Sequence, residues 1–229
     1  TLCPACETEY RTPADRRFHA QPNACPVCGP QLWLETPDGE RLSPILPERD
    51  CVDSASRLLR EGYILAMMGL GGVHLACDAT NSNAVALLRQ RKRRYQKPLA
   101  LMARDLNVIR QYCPVNGEEA AVLNSPAAPI VLLSSHTKAG LAHGISDATP
   151  MLGFMLPYTP LHVLLLATWD TPLVMTSANL SEEPQCITLT ETRERLRGIA
   201  DYFLLHNRPI VNRVDDSVAR VIGGKPHLL

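Results

Sequence analysis

Two groups of residues in this 229-residue chain carry chemistry by type and spacing. The first is Cys3-Pro-Ala-Cys6, then eighteen residues, then Cys25-Pro-Val-Cys28. The pattern C-x2-C-x18-C-x2-C lies within the spacings of zinc sites. Each C-x-x-C knuckle presents two thiolates, and four thiolates make a closed tetrahedral shell with no open position. A module of about 30 residues buries too little surface to fold alone. Metal binding worth about 10–16 kcal/mol supplies what burial lacks. Cys3, Cys6, Cys25 and Cys28 are the expected ligands of a structural zinc. Iron in the same shell, or a dithiol redox pair, is the alternative. His19, in the intervening loop, is either a further candidate ligand or a locally packed ring.

The second group is the run Arg89–Lys97, with six basic residues in nine positions and no acid. The whole chain has 23 basic and 23 acidic residues, so this charge is placed rather than general. A cationic cluster on a neutral chain predicts an anionic ligand. Far downstream, Thr176-Ser177-Ala178-Asn179 follows the apolar run Leu173–Met175. In open α/β sheets, ligands bind beyond the carboxyl ends of strands, where these hydroxyl and amide groups fall. Taken singly, each feature has a plainer reading: Asn179 caps a turn, and the cations solvate a helix end.

Apolar runs and helical patterns alternate from about residue 51. Tyr63–Met68, Val73–Asp78, Leu99–Met102, Ile130–Leu133, Gly153–Leu156, Pro172–Met175 and Tyr202–Leu205 read as strands. Ser54–Glu61, Ala84–Arg93 (capped by Asn81), Asn107–Tyr112, Glu118–Leu123, Leu161–Ala167 and Glu191–Leu196 read as helices. Runs without polar alternation imply strands buried on both faces, and the alternation implies an α/β fold. The expected organisation is a zinc module at 1–30, a linker at 31–50 with one short strand at Gln31–Glu35, and an α/β domain at 51–229.

Composition narrows the classes. About 45% of residues are hydrophobic, enough for a core. No apolar run reaches the ~18 residues of a membrane span. Neutral charge argues against broad nucleic-acid binding. Cys51, Cys77, Cys113 and Cys186 are scattered singly, which fits buried thiols in a reducing, cytoplasmic compartment. The opening Thr1-Leu2-Cys3 carries no signal peptide and suggests a piece of a longer protein.

The pattern K-x-R-x-x-K-P-L (Lys92, Arg94, Lys97, Pro98, Leu99) followed by S-x-N (Ser177, Asn179) resembles YrdC-like domains over roughly residues 50–225. Further matches are Gly71–Asn81, Met155–His162 and Arg213–Val218. With the preceding knuckles, including Arg16–His19 and Cys25–Pro30, the ordered set looks like the HypF family of [NiFe]-hydrogenase maturation carbamoyltransferases. The resemblance implies an open twisted mixed sheet with flanking helices. It also implies further domains before Thr1 and after Leu229.

It implies a reaction as well: ATP and carbamate, derived from carbamoyl phosphate, give carbamoyl-AMP with Mg²⁺ on the phosphates. Carbamoyl transfer to the partner HypE would follow in the whole protein, as a step toward the cyanide ligands. Lys92 and Arg94 are the catalytic candidates, meeting phosphate charge. Ser177 and Asn179 join them in holding ATP. Carbamate is already an anion and requires no general base. Where threonylcarbamoyl-AMP synthases resemble P-T-x-T-V-Y-G-L, this chain has Gly69-Leu-Gly-Gly-Val-His-Leu-Ala76, and loss of the threonine pair fits a smaller substrate. His74 is a pocket residue or a packed strand histidine. Asp215 and Asp216 face magnesium or ribose, or pair with Arg213 or Arg220. Arg89, Arg91 and Arg93 revert to a solvated helix. The rivals are a threonylcarbamoyl-AMP synthase, an RNA-binding module using Tyr95, and a non-catalytic docking domain.

Overall fold

The computed structural model describes residues 2–42, 50–136, 140–179 and 183–229. It divides into two compact units, Thr1–Leu32 with His206–Arg208, and Trp33–Leu205 with Pro209–Leu229. In the first, helix α1 (Pro4–Arg11) starts at Cys3, with Pro4 in the first turn. There its missing N–H removes no helical hydrogen bond. This helix is absent from the sequence expectation, because only Cys6 on it is buried and no apolar period announces it.

The remaining elements follow in chain order. Strand β1 (Leu32–Glu35) precedes α2 (Cys51–Arg60), β2 (Leu65–Met68), β3 (Val73–Asp78) and α3 (Ser82–Lys92). Next come β4 (Leu101–Met102), α4 (Leu106–Arg110), α5 (Gly117–Leu123), β5 (Ile130–Ser134), β6 (Met151–Met155) and α6 (Pro160–Leu166). The chain ends with β7 (Leu173–Ser177), α7 (Leu189–Leu196), β8 (Tyr202–His206), β9 (Val218–Ile222) and β10 (Lys225–Leu228). The strands form one mixed sheet in the order β1-β8-β2-β3-β7-β4-β6-β5-β9-β10. Three pairs are parallel (β2 with β8, β4 with β6, β5 with β9), and β2–β3, β3–β7, β7–β4, β6–β5 and β9–β10 are antiparallel. The open mixed sheet is the architecture expected from the sequence.

Strand β2 is buried at every position and β3 at all but Asp78. That accounts for their unbroken apolar character. Helix starts are fixed by side chains that accept the first free N–H groups. Asp50, Asn81, Asp105, Asn116, Thr159 and Thr188 all do so.

Residues 33–42 belong to the sheet unit rather than to a linker: Glu35 is 1% exposed and takes a two-pronged bond from Arg193 at 2.7 and 2.9 Å. The rest of that linker, 43–49, lies outside the described residues. The hairpin β9–β10 has no counterpart among the expected elements; its strands are mostly exposed, so they lack an apolar run. Its turn, Gly223-Gly224, has positive φ at both residues, as tight hairpin turns demand. Of the four scattered thiols, Cys77, Cys113 and Cys186 are buried, and Cys51 is half-buried at the start of α2.

Candidate functional site

In the first unit the four cysteine sulfurs lie within 4.8 Å of one another. Sγ of Cys3 and Cys25 are 3.6 Å apart, and those of Cys25 and Cys28 are 3.8 Å apart. A tetrahedron with metal–sulfur bonds of about 2.3 Å has edges of about 3.8 Å, so the residues fit a thiolate-held ion. Backbone N–H groups of the knuckle lower the Cys25 thiol, and those reaching Cys28 bring it to about 6. Both favour the thiolate a metal needs. Gly29 is required here: a Cβ would lie 2.8 Å from the Cys25 carbonyl oxygen. Buried Asn23 ties the two halves by donating to Cys6 O at 2.8 Å. His19 stacks on Tyr10 at 5.0 Å and stands outside the sulfur cluster.

The second site forms where β3, β7 and the end of α3 meet. Helix α3 buries Ala84, Val85, Leu88 and Lys92 on one face, so Lys92 continues its apolar stripe inward. Lys92 is 1% exposed, and its ammonium donates to Ser177 O, Asn179 O and Asn179 Oδ1 at 2.6, 2.6 and 2.7 Å. Ser177 Oγ donates to Asn179 Oδ1 at 2.9 Å. Three of the sequence-derived site residues thus form one hydrogen-bonded knot. Burial, then the nearby Arg94 charge, pushes the Lys92 ammonium down to about 7. The three carbonyl oxygens favour the charged form and work the other way.

Arg93 ends α3 in a left-handed backbone, φ 54°, and turns the chain so that Arg94 lines a cleft of about 320 Å³. That volume is at the small end of ligand sites. Thr149, Thr176, Ser177, Asp215 and Asp216 supply its other polar lining, and Leu99, Ile130 and Met175 part of its apolar wall. Lys92 does not line it. Arg94 donates to Pro98 O at 2.8 Å and keeps a buried Nε–H without a partner among the described residues.

The rest of the basic run is not the solvated helix end expected. The half-buried Arg89 donates to Gly144 O, Arg94 O and Lys97 O, fastening the segment that carries Arg94. Arg91 pairs with Asp201 at 2.7 Å. Of the six basic residues in the run only Arg93 and Lys97 are exposed, which leaves little cationic surface for RNA beside the exposed Tyr95.

Strand register sets His74 of β3 opposite Ser177 of β7. His74 is 3% exposed, and its Nε2 lies 3.1 Å from Asp216 Oδ2. Asp216 also accepts from Tyr158 OH at 3.2 Å. The expected pairing of the aspartates with Arg213 or Arg220 does not occur. Arg213 donates to Gln185 O, and Asp215 accepts from Gln185 Nε2 at 3.0 Å. Burial works to raise the Asp216 carboxyl, but His74 and Tyr158 outweigh it and hold it below the usual range.

Tyr158, His162 and Gln185 are the residues that sequence reasoning left without a role. Gln185 fills the space opened by the glycine pair. A Cβ on Gly72 would fall 2.1 Å from Gln185 Oε1, and one on Gly71 2.8 Å from Val214 Cβ. Gly72→Ala is therefore expected to cost about 1–3 kcal/mol by overpacking, measured by urea unfolding.

The mixed sheet with this cleft defines a class of protein, and comparison with known families agrees. The chain belongs to the Sua5–YciO–YrdC family, described as "Telomere recombination", whose profile matches residues 57–229. Residues 2–35 match the HypF finger. Within the class its relatives include the carbamoyltransferase HypF of Rhodobacter capsulatus, 54% identical over 96% of this chain and 29% of that protein. The crystal structure of full-length HypF in a phosphate- and nucleotide-bound form superposes with a TM-score of 0.88, at 46% identity. It covers 100% of this chain, which spans 29% of that one. The human threonylcarbamoyl-AMP synthase is more distant, 26% identical over 78% of this chain and 65% of its own length. The chain thus spans between 22% and 36% of the length of these HypF relatives. Among the described residues no helix is long and apolar enough to cross a membrane.

Proposed function

We propose that the cleft binds ATP and joins carbamate to its AMP portion, giving carbamoyl-AMP and pyrophosphate. The observation that carries this reading is the convergence of Arg94, Ser177 and Asp216 on one cleft, in a chain that superposes on a nucleotide-bound HypF. A carbamate oxygen attacks the α-phosphorus, and charge accumulates on the departing pyrophosphate. Arg94 meets that charge with a planar fork and an unspent Nε–H. Lys92 adds a buried positive charge and holds the Ser177–Asn179 turn in shape. Ser177 exchanges its bond to Asn179 for one to a phosphate oxygen. Mg²⁺, when bound with the triphosphate, neutralises phosphate charge and keeps most of its waters. Asp216 lines the cleft on the substrate side, and His74, expected as a pocket residue, stands behind it and holds its carboxylate. The four cysteines hold a structural zinc, and the free thiols suit a reducing cytoplasm.

In the whole protein this step takes carbamate released from carbamoyl phosphate and hands the carbamoyl group on to HypE. The product feeds the cyanide ligands of [NiFe]-hydrogenase. Exchange of labelled pyrophosphate into ATP by this chain, dependent on carbamate, tests the reading. Arg94→Gln and Ser177→Ala are each expected to weaken ATP binding about tenfold, a loss of about 1.4 kcal/mol. Exchange that requires threonine would identify a threonylcarbamoyl-AMP synthase instead. Unchanged ATP affinity in both variants would remove the site from this cleft.

A further inference from the structure

Arg89 takes no direct part in the phosphate chemistry, yet it sits where two walls of the cleft are tied together. Its guanidinium makes three bonds, all to main-chain oxygens. Nε donates to Gly144 O at 2.5 Å, Nη1 to Arg94 O at 2.5 Å and Nη2 to Lys97 O at 3.0 Å. Two of these oxygens belong to the turn after α3, which carries Arg94, Pro98, Leu99 and Ala100 into the cleft lining. The third belongs to the loop that leads to Thr149 and Met151, also in the lining. Leu99 N–H donates to Ile145 O at 2.9 Å and makes a second stitch between the same two segments.

The backbone is shaped around this fork. Gly144 has φ 92°, and a Cβ there would lie 3.0 Å from Arg89 Nε and 3.2 Å from its Cδ. Only glycine combines that conformation with so close an approach. Asp147 grips the same residue, both carboxylate oxygens accepting Gly144 N–H at 3.0 Å. The bonds of Arg89, Lys92 and Arg94 all go to neutral oxygens, so their charges are not spent on a carboxylate. After burial, the Arg89 charge is what lowers the Arg94 guanidinium, which places the two cations side by side.

We propose that Arg89 is a positioning residue for triphosphate binding: its three-way fork holds the Arg94 turn against the loop 144–149, so that Arg94 meets the β- and γ-phosphates already ordered. A turn that must be ordered on binding loses affinity to that cost, and a preordered one does not. A fork can reach carbonyls in separate segments, whereas an ammonium converges its donors from one nitrogen. The proposal deepens the ATP reading of the cleft and rests on it.

Calorimetric titration with ATP, pyrophosphate and AMP tests it. Arg89→Met and Arg89→Lys are each expected to weaken ATP and pyrophosphate about tenfold and AMP by less than about twofold, because only the phosphates that Arg94 meets are affected. When Arg89→Met is combined with Arg94→Gln, ATP is expected to bind within about twofold of Arg94→Gln alone, since Arg89 then has nothing left to position. A loss shared equally by AMP, or losses that multiply to about a hundredfold in the pair, marks a general loosening of the fold and overturns the proposal. ATP affinity equal to the parent's in Arg89→Lys leaves Arg89 a charge and no positioning role, and overturns it too. So does parental affinity in Arg89→Met. If the parent itself binds neither ATP nor pyrophosphate, the ATP reading of the cleft falls, and this proposal with it.

Discussion

Lys92→Met is expected to destabilise the chain by about 3 kcal/mol and to weaken ATP binding at least about tenfold. The ammonium is the shared donor for Ser177 O, Asn179 O and Asn179 Oδ1. Its removal strands acceptors beneath the cleft, at about 1–3 kcal/mol each. The gain from no longer burying a charge offsets part of that. Lys92→Arg is not expected to rescue, because the larger planar guanidinium spreads its donors over three nitrogens and cannot converge them from one atom in a site that is 1% exposed.

The same residue gives a pH signature. Lowered by burial and Arg94 to about 7, Lys92 is protonated below that pH and loses its charge as pH rises through it. Anion binding that uses this charge weakens in the same direction. ATP affinity should fall from pH 6 to pH 8.5 by more in the parent than in Lys92→Met, since both share the titration of ATP itself. Calorimetric titration at the two pH values checks the difference. For stability the sign is opposite. The folded pKa lies below the unfolded one of about 10.4, so the unfolded chain binds more protons between them. The burial penalty of the ammonium therefore fades as pH rises across that window, and urea midpoints should show a positive slope that Lys92→Met lacks.

Lys92 also marks how far the sequence could be read. Its place in a basic run singled out the residue, but its burial was not legible: Ala84, Leu87, Leu88 and Arg91 read as the apolar spacing, whereas the buried face holds Ala84, Val85, Leu88 and Lys92. The direction of its three bonds had no sequence signal, since two go to main-chain oxygens that any residue would offer. Strand β3 was legible to the residue because a fully buried strand is a bare apolar run between turns. The pairing of β3 with β7 was not, because partners a hundred residues apart leave no local mark. That pairing sets His74 opposite Ser177, one of the residues that line the cleft. The glycine pair was visible as a departure, but what filled the space was not. Gln185 reaches it from a segment with no apolar period of its own.

Stripping metal from the cysteine unit is expected to unfold that unit and leave the cleft able to bind nucleotide. Apart from α1 the unit has little regular structure, and Cys6 and Leu2 are among the few apolar side chains it shields. The sulfur cluster is its only dense centre among the described residues. Metal binding worth about 10–16 kcal/mol exceeds what burial in so small a unit supplies. The residues that line the cleft lie elsewhere, between Arg94 and Val218 in the sheet unit. A chelator strong enough to take zinc from four thiolates should release about one zinc per chain and open Arg11, Arg16 and Arg17 to trypsin. Cys25→Ser, which removes one ligand, should reproduce the cleavage without chelator. ATP affinity within about twofold of the parent in both cases would fix the metal's role as structural, because a closed shell has no position for substrate. Loss of ATP binding on chelation, with the sheet still folded by far-ultraviolet circular dichroism, would sink that division of labour.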